Sequence, residues 1–128
     1  MAHATLLIVD DEELVRWSLR ERFLRDGYRV HESRPAAGAI DKVTPAVDLV
    51  LLDHRLPDGD GVMLLRQIKE LSPDTLVILM TAFSTVENAV AAMKHGAYHY
   101  LNKPFNLDDV SAVVEKALET RRLRREVR

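Results

Sequence analysis

Five short apolar runs punctuate the chain, and each gives way to charged or turn-forming residues. Thr5-Leu-Leu-Ile-Val9 is continuous and ends in acids, as a strand buried on both faces does. Residues 12–26 carry Leu14, Val15, Trp17, Leu19 and Phe23 among charges, which predicts an amphipathic helix stopped by Gly27. Tyr28 to Glu32 reads as a second strand, and 35–43 as a short helix opened by Pro35. Val47 to Leu52 is a third buried strand that runs straight into Asp53. The stretch Leu56-Pro-Asp-Gly-Asp-Gly61 is turn chemistry, with a helix over 61–71 behind it. Thr75 to Met80 is the fourth strand, and 85–95 a helix closed by Gly96. Tyr98 to Asn102 is a shorter fifth strand, and a last helix starts near 107 with Asn106 or Asp108 at its cap.

Strands alternating with helices predict a doubly wound α/β domain: a five-stranded parallel sheet with five helices over its two faces. Right-handed crossovers leave few ways to wind it. No repeat or low-complexity tract interrupts the pattern, and 128 residues suit one domain. A 47% apolar share is enough to fill its core. Cysteine is absent, which excludes disulfides, thiolate zinc sites and cysteine nucleophiles. No apolar run approaches the ~20 residues of a membrane span and no signal peptide is evident, so the expectation is a soluble cytoplasmic protein. The net charge of −2 is unevenly spread. Residues 119–128 hold five Arg and two Glu, a net +3, leaving −5 on residues 1–118. The domain therefore reads as residues 1–120, with 121–128 a basic start of an interdomain helix or linker. Arg interleaved with Glu on a helix is the mark of a solvated face or a coiled-coil start, and without an aromatic platform it does not indicate direct nucleic-acid binding.

In open α/β sheets, ligands sit beyond the carboxyl ends of the strands. Strand one is followed there by Asp10, Asp11 and Glu12, strand three by Asp53, strand four by Thr81, and strand five by Lys103-Pro104. Singly, each has a plain structural reading: a helix cap, a turn hydroxyl, a solvated ammonium. Together, drawn from four strands, they make a site. Clustered carboxylates raise one another's pKa unless a cation intervenes. Lys103 offsets one charge, and a hard divalent ion such as magnesium suits an all-oxygen donor set, whereas zinc or copper does not. A carboxylate beside such an ion, a lysine and a hydroxyl can act as a nucleophile on phosphorus and form an aspartyl phosphate.

These residues resemble the receiver domain of two-component response regulators, a CheY-like, flavodoxin-like fold. Val9-Asp10-Asp11-Glu12, Asp53-His-Arg-Leu-Pro57-Asp-Gly-Asp-Gly61, Met80-Thr81-Ala82 and Lys103-Pro104-Phe105 stand in family order and spacing. The resemblance implies a histidine-kinase partner that phosphorylates Asp53, with magnesium held by Asp10, Asp11, Asp53 and the main-chain carbonyl of Arg55. It implies phosphoryl contacts from Lys103 and Thr81, a cis Lys103–Pro104 peptide, and Tyr100 as the switch aromatic that moves with Thr81. The surface of the fourth helix, fifth strand and last helix would then change and form a dimer. The segments 80–90 and 93–105 are similar to receivers of the NtrC-like class, which precede a sigma-54-dependent AAA+ ATPase and a helix-turn-helix domain. No phosphate-binding G-x-x-x-x-G-K-[ST] loop occurs here, so such output domains are absent from this chain, which reads as an excised receiver or a single-domain protein.

Two other classes compete with a phosphorylation switch. A magnesium-dependent phosphatase could use Asp53 as nucleophile, but the D-x-D-x-T/V motif of haloacid-dehalogenase-like enzymes does not follow the first strand. A phosphate-independent interaction module would not need the complete acid, hydroxyl and lysine set. His54, where the family more often has an apolar residue, reads as a tolerated loop substitution, and His95 with His99 as no metal pair because Gly96 separates them. Arg55 and Phe83 occupy the positions that tune water attack on the acyl phosphate in the family. The expected outcome is faster loss of the phosphoryl group from Phe83→Ala than from the parent protein, followed by intact mass over time.

Overall fold

The computed structural model describes residues 4–34, 36–56, 58–82 and 85–127. Its elements are β1 (Thr5–Val9), α1 (Glu13–Arg25), β2 (Arg29–Ser33), α2 (Ala36–Lys42), β3 (Leu49–Asp53), α3 (Gly61–Leu71), β4 (Leu76–Thr81), α4 (Val86–Lys94), β5 (His99–Asn102) and α5 (Leu107–Val127). The strands form one parallel sheet in the order β2-β1-β3-β4-β5. The doubly wound architecture expected from the apolar runs is therefore found, with strand ends shifted by a residue or two.

The continuous runs stay dry because alternate residues serve opposite faces. Leu7, Val9, Val50, Leu52, Val77 and Leu79 pack with Leu64, Leu65 and Ile68 of α3 and Ala92 of α4. Leu6, Ile8, Leu49, Leu51, Ile78 and Met80 face the other way, onto Leu19 and Phe23 of α1 and Val110, Val114 and Ala117 of α5. Phe23 is fully buried with its ring 5.9 Å from that of Tyr28, whereas Trp17 is half exposed.

Helix ends follow side-chain chemistry. Asp60 caps α3 by accepting from the Val62 N–H at 2.7 Å, and Thr85 caps α4 through the Asn88 N–H at 3.0 Å. Of the two cap candidates for α5, Asn106 accepts from the Asp108 N–H, while Asp108 pairs with Arg22 at 2.6 Å. Gly27 and Gly96, at φ 97° and 103°, end the turns after α1 and α4 in the left-handed region.

Two features depart from the sequence reading. The turn after β3 contains a two-residue antiparallel ribbon, Arg55–Leu56 against Gly59–Asp60. And α5 continues without a break through residue 121, whose side chain is buried rather than solvated. Arg121 Nε donates to the Asp74 carbonyl at 2.7 Å and its guanidinium pairs with Asp48, which itself accepts from the Thr5 N–H at 2.8 Å. This one side chain ties the distal half of α5 to the amino-terminal edge of the sheet. Arg121→Leu is expected to lower stability by about 3 kcal/mol, because it strands a half-buried carboxylate. Adding Asp48→Asn should recover part of the loss, read as a shift in urea midpoint at unchanged slope.

Candidate functional site

The strand order changes direction between β1 and β3, and the crevice at their carboxyl ends is where such sheets bind ligands. Register brings the ends level: Val9 pairs with Leu52, Asp53 with Met80, and Met80 with Leu101. Asp10 directly follows β1, Asp53 ends β3, Thr81 ends β4, and Lys103 directly follows β5. The sequence-predicted residues from four strands thus meet at one edge.

Carboxylate oxygens of Asp10, Asp11 and Asp53 lie within 4.8 Å of one another. Asp10 is fully buried and Asp53 is 6% exposed. Asp10 makes two local contacts: Oδ1 accepts from the Glu12 N–H at 2.9 Å, opening the turn into α1, and Oδ2 accepts from Lys103 Nζ at 2.7 Å. The plain capping-type role and the site role therefore coexist in one residue. Lys103 Nζ also stands 3.2 Å from Glu12 Oε1 and 3.4 Å from Asp53 Oδ2. Its reach depends on the chain after β5, where the Lys103 N–H donates to the Thr81 carbonyl at 2.7 Å and the Lys103–Pro104 peptide is cis, as the resemblance implied.

The charge balance is incomplete. Burial opposes the charge on Lys103, but the hydrogen bond and field of Asp10 and the field of Asp53 push its pKa up overall. Asp53 is pushed up to about 6, first by burial and then by Asp10, with Lys103 and the Arg55 N–H at 3.3 Å only partly compensating. An anionic carboxylate that remains unfavourable beside two others fits an all-oxygen divalent cation site.

Thr81 is buried at the same edge. The Tyr100 phenol is pushed up by burial, with a hydrogen bond from Thr81 pulling it the other way. A cleft of about 380 Å³ beside Thr81 is lined by His54, Arg55, Asp60 and Asn88. Arg55 is exposed on the ribbon, and Phe83 lies outside the described residues. His54, read from sequence as a loop substitution, is instead packed: its Nδ1 is 3.1 Å from the Tyr100 hydroxyl. No spacing rule connects positions 54 and 100, so only the fold could reveal that contact. His95 caps α4 and His99 Nδ1 accepts from the Tyr100 N–H, so each has a structural role. Among the described residues no helix is long and apolar enough to cross a membrane.

A doubly wound sheet with acids, a hydroxyl and a lysine at its carboxyl edge defines a receiver-type protein. The chain belongs to the response regulator receiver domain family, whose model matches residues 6–115. Such domains are phosphoacceptor switches rather than classical enzymes, and generally bind Mg2+ in an acidic pocket of this kind. Among its relatives, the regulatory protein AtoC of Escherichia coli K12 is 39% identical over 126 residues, covering 96% of this chain and 27% of that protein. The nitrogen assimilation regulatory protein NtrX of Azorhizobium caulinodans is 40% identical over 131 residues, covering 100% and 29%. The chain thus spans roughly a quarter of these NtrC-type regulators. A CheY-like receiver from Methanospirillum hungatei superposes with a TM-score of 0.92 at 28% identity, over 96% of this chain and 99% of that one. The beryllofluoride-activated NtrC4 receiver domain dimer gives 0.85 at 36% identity, over 91% and 98%.

The raised Asp53 pKa sets a direction for stability without metal. The group's favourable contribution is complete below its ordinary value of 3.8 and is lost as pH rises through about 6. Asp53→Asn, neutral throughout, should therefore melt a few degrees above the parent in EDTA near neutral pH, and the gap should close as pH falls towards 4. A lower melting temperature for the variant at neutral pH would contradict this balance.

Proposed function

We propose that this chain is the phosphorylation-activated switch of a cytoplasmic two-component regulator, with Asp53 as the acceptor of a phosphoryl group from a sensor histidine kinase. The observation that carries the reading is the junction of Lys103 Nζ with Asp10 and Asp53, beside a third carboxylate and a buried hydroxyl. An Asp53 carboxylate oxygen attacks phosphorus, a P–O bond forms, and the P–N bond to the kinase imidazole breaks with its electron pair leaving on nitrogen. Asp10, Asp11, Asp53 and the Arg55 main-chain carbonyl would hold Mg2+, which would supply charge neutralisation for the transferring group. Lys103 orients one phosphoryl oxygen and the Thr81 hydroxyl another, so catalysis is positioning and charge stabilisation in a site already assembled. The same site catalyses its own slow hydrolysis and has no external substrate. Arg55, exposed beside the cleft, restricts the access of the water that attacks the acyl phosphate.

Movement of Thr81 towards the new oxygens alters its contact with Tyr100 and so the α4–β5–α5 surface. On α4, Val86, Val90 and Met93 are 77%, 59% and 51% exposed at helical spacing, an apolar stripe suited to a second copy of the chain. The NtrC4 receiver, a similar structure, is an activated dimer. By analogy with the longer relatives, the output is transcriptional, delivered through AAA+ and DNA-binding domains joined after α5, with 121–128 the start of the interdomain helix.

Incubation with Mg2+ and acetyl phosphate should add a single phosphoryl group by intact mass, lost in Asp53→Asn and without Mg2+. An adduct that survives Asp53→Asn would refute the acceptor. In the same samples, Tyr100→Ala should be phosphorylated yet dimerise more weakly, read by sedimentation.

A further inference from the structure

His54 takes no part in the chemistry above, yet its backbone is bonded in both directions at the edge. Its N–H donates to the Met80 carbonyl at 2.8 Å, and its carbonyl accepts from the Gly61 N–H at 2.7 Å. The approach of α3 is so close that a Cβ at Gly61 would fall 2.5 Å from the Asp53 carbonyl oxygen and 2.8 Å from the His54 Cα. The His54 backbone is therefore clamped between the end of β4 and the first residue of α3. Its side chain is 12% exposed, with Nε2 facing Asp60 at 3.9 Å. With the backbone fixed and the imidazole mostly buried in the wall of the cleft, its rotamer freedom is reduced.

Tyr100 is less constrained. It sits on β5, the outermost strand, and is only partly buried, against the core face shared by α3 and α4. Its hydroxyl interacts with Thr81 and lies 3.1 Å from His54 Nδ1, and both contacts favour the inward ring over one turned to solvent. The two rings meet edge to face, centroids 6.1 Å apart at 78°. Thr81 is the partner that phosphorylation would move. His54 is not.

We propose that His54 is a positioning residue for the switch: its clamped imidazole holds the Tyr100 ring inward independently of Thr81, so the inward conformer is populated before a phosphoryl group arrives. The consequence for signalling rests on the phosphoacceptor reading, but the hold itself does not. A switch whose inward state is already favoured responds to phosphate over a narrower range, and weakening the hold widens the difference between resting and phosphorylated protein.

The test uses the full chain carrying 3-fluorotyrosine. It contains three tyrosines, and Tyr100→Phe assigns the resonance of interest. Fluorine NMR then reads the inward-to-outward ratio, and intact mass reads the Asp53 adduct in parallel. His54→Leu should reduce that ratio about fivefold in the unphosphorylated protein, the worth of one ordinary hydrogen bond, while His54→Gln, which keeps a hydrogen-bonding side chain, stays within about twofold of the parent. Amide exchange at Thr81, measured on each variant, supplies the coupling: His54→Leu should alter it with Tyr100 present and leave it unchanged in Tyr100→Phe, which a merely structural loss would not do. If His54→Leu fails to fold, His54→Ala takes its place. An unchanged ratio in the folded variant overturns the proposal, even where Asp53 accepts phosphate normally. A shifted ratio with no adduct in any protein supports the hold and refutes the phosphoacceptor reading instead.

Discussion

The ammonium of Lys103 lies between Asp10 and Asp53, and the carboxyl edge depends on that placement. Two buried carboxylates on neighbouring strands repel in a medium that screens poorly, and a cation delivered between them lowers that cost. The cation comes from a third strand, two positions across the sheet from β3. Everything upstream in the fold serves that delivery: the register of β4 on β3 and of β5 on β4, and the bond from the Lys103 N–H to the Thr81 carbonyl. A slip of one residue in any of these pairings would turn the polar residues into the wrong core and bury Leu or Met side chains on the wrong face.

Compensation by one lysine for three acids is deliberately incomplete in its effect. Asp53 remains a disfavoured anion, and whatever brings positive charge or converts it to an acyl phosphate changes the balance of the whole edge. The buried charges there are paired but not balanced, since one ammonium is shared by Asp10, Asp53 and Glu12. Around it the rules are kept: among the described residues no buried side-chain polar atom lacks a partner, and both sheet faces are dry.

Much of this was legible in the sequence for a simple reason. Strands buried on both faces write themselves as unbroken apolar runs, and the residue after each run must lie at one edge if the sheet is parallel. Asp10, Asp53, Thr81 and Lys103 could be placed together on that logic alone. What could not be read depends on angles between elements. Arg121 sits in a stretch whose composition suggests solvent, and only the packing of α5 across the sheet turns it onto Asp48. His54 reads as a loop residue until the clamped turn aims it at Tyr100. The ribbon at Arg55–Leu56 and Gly59–Asp60 is hidden in what reads as a simple turn.

The anchoring of Arg121 has a geometric meaning beyond stability. A helix of 21 residues is roughly 31 Å long, and an anchor at its fifteenth residue, added to the packing of Val110, Val114 and Ala117, holds its azimuth beyond the apolar face. Anything rigidly joined to α5 inherits that phase. Inserting one residue after position 121 would swing such an attachment by about 100° around the helix axis, and seven would nearly restore it. The guanidinium thus acts as a keyway: beyond it, each added residue of helix trades length for direction, and only steps close to whole heptads lengthen the shaft without turning it.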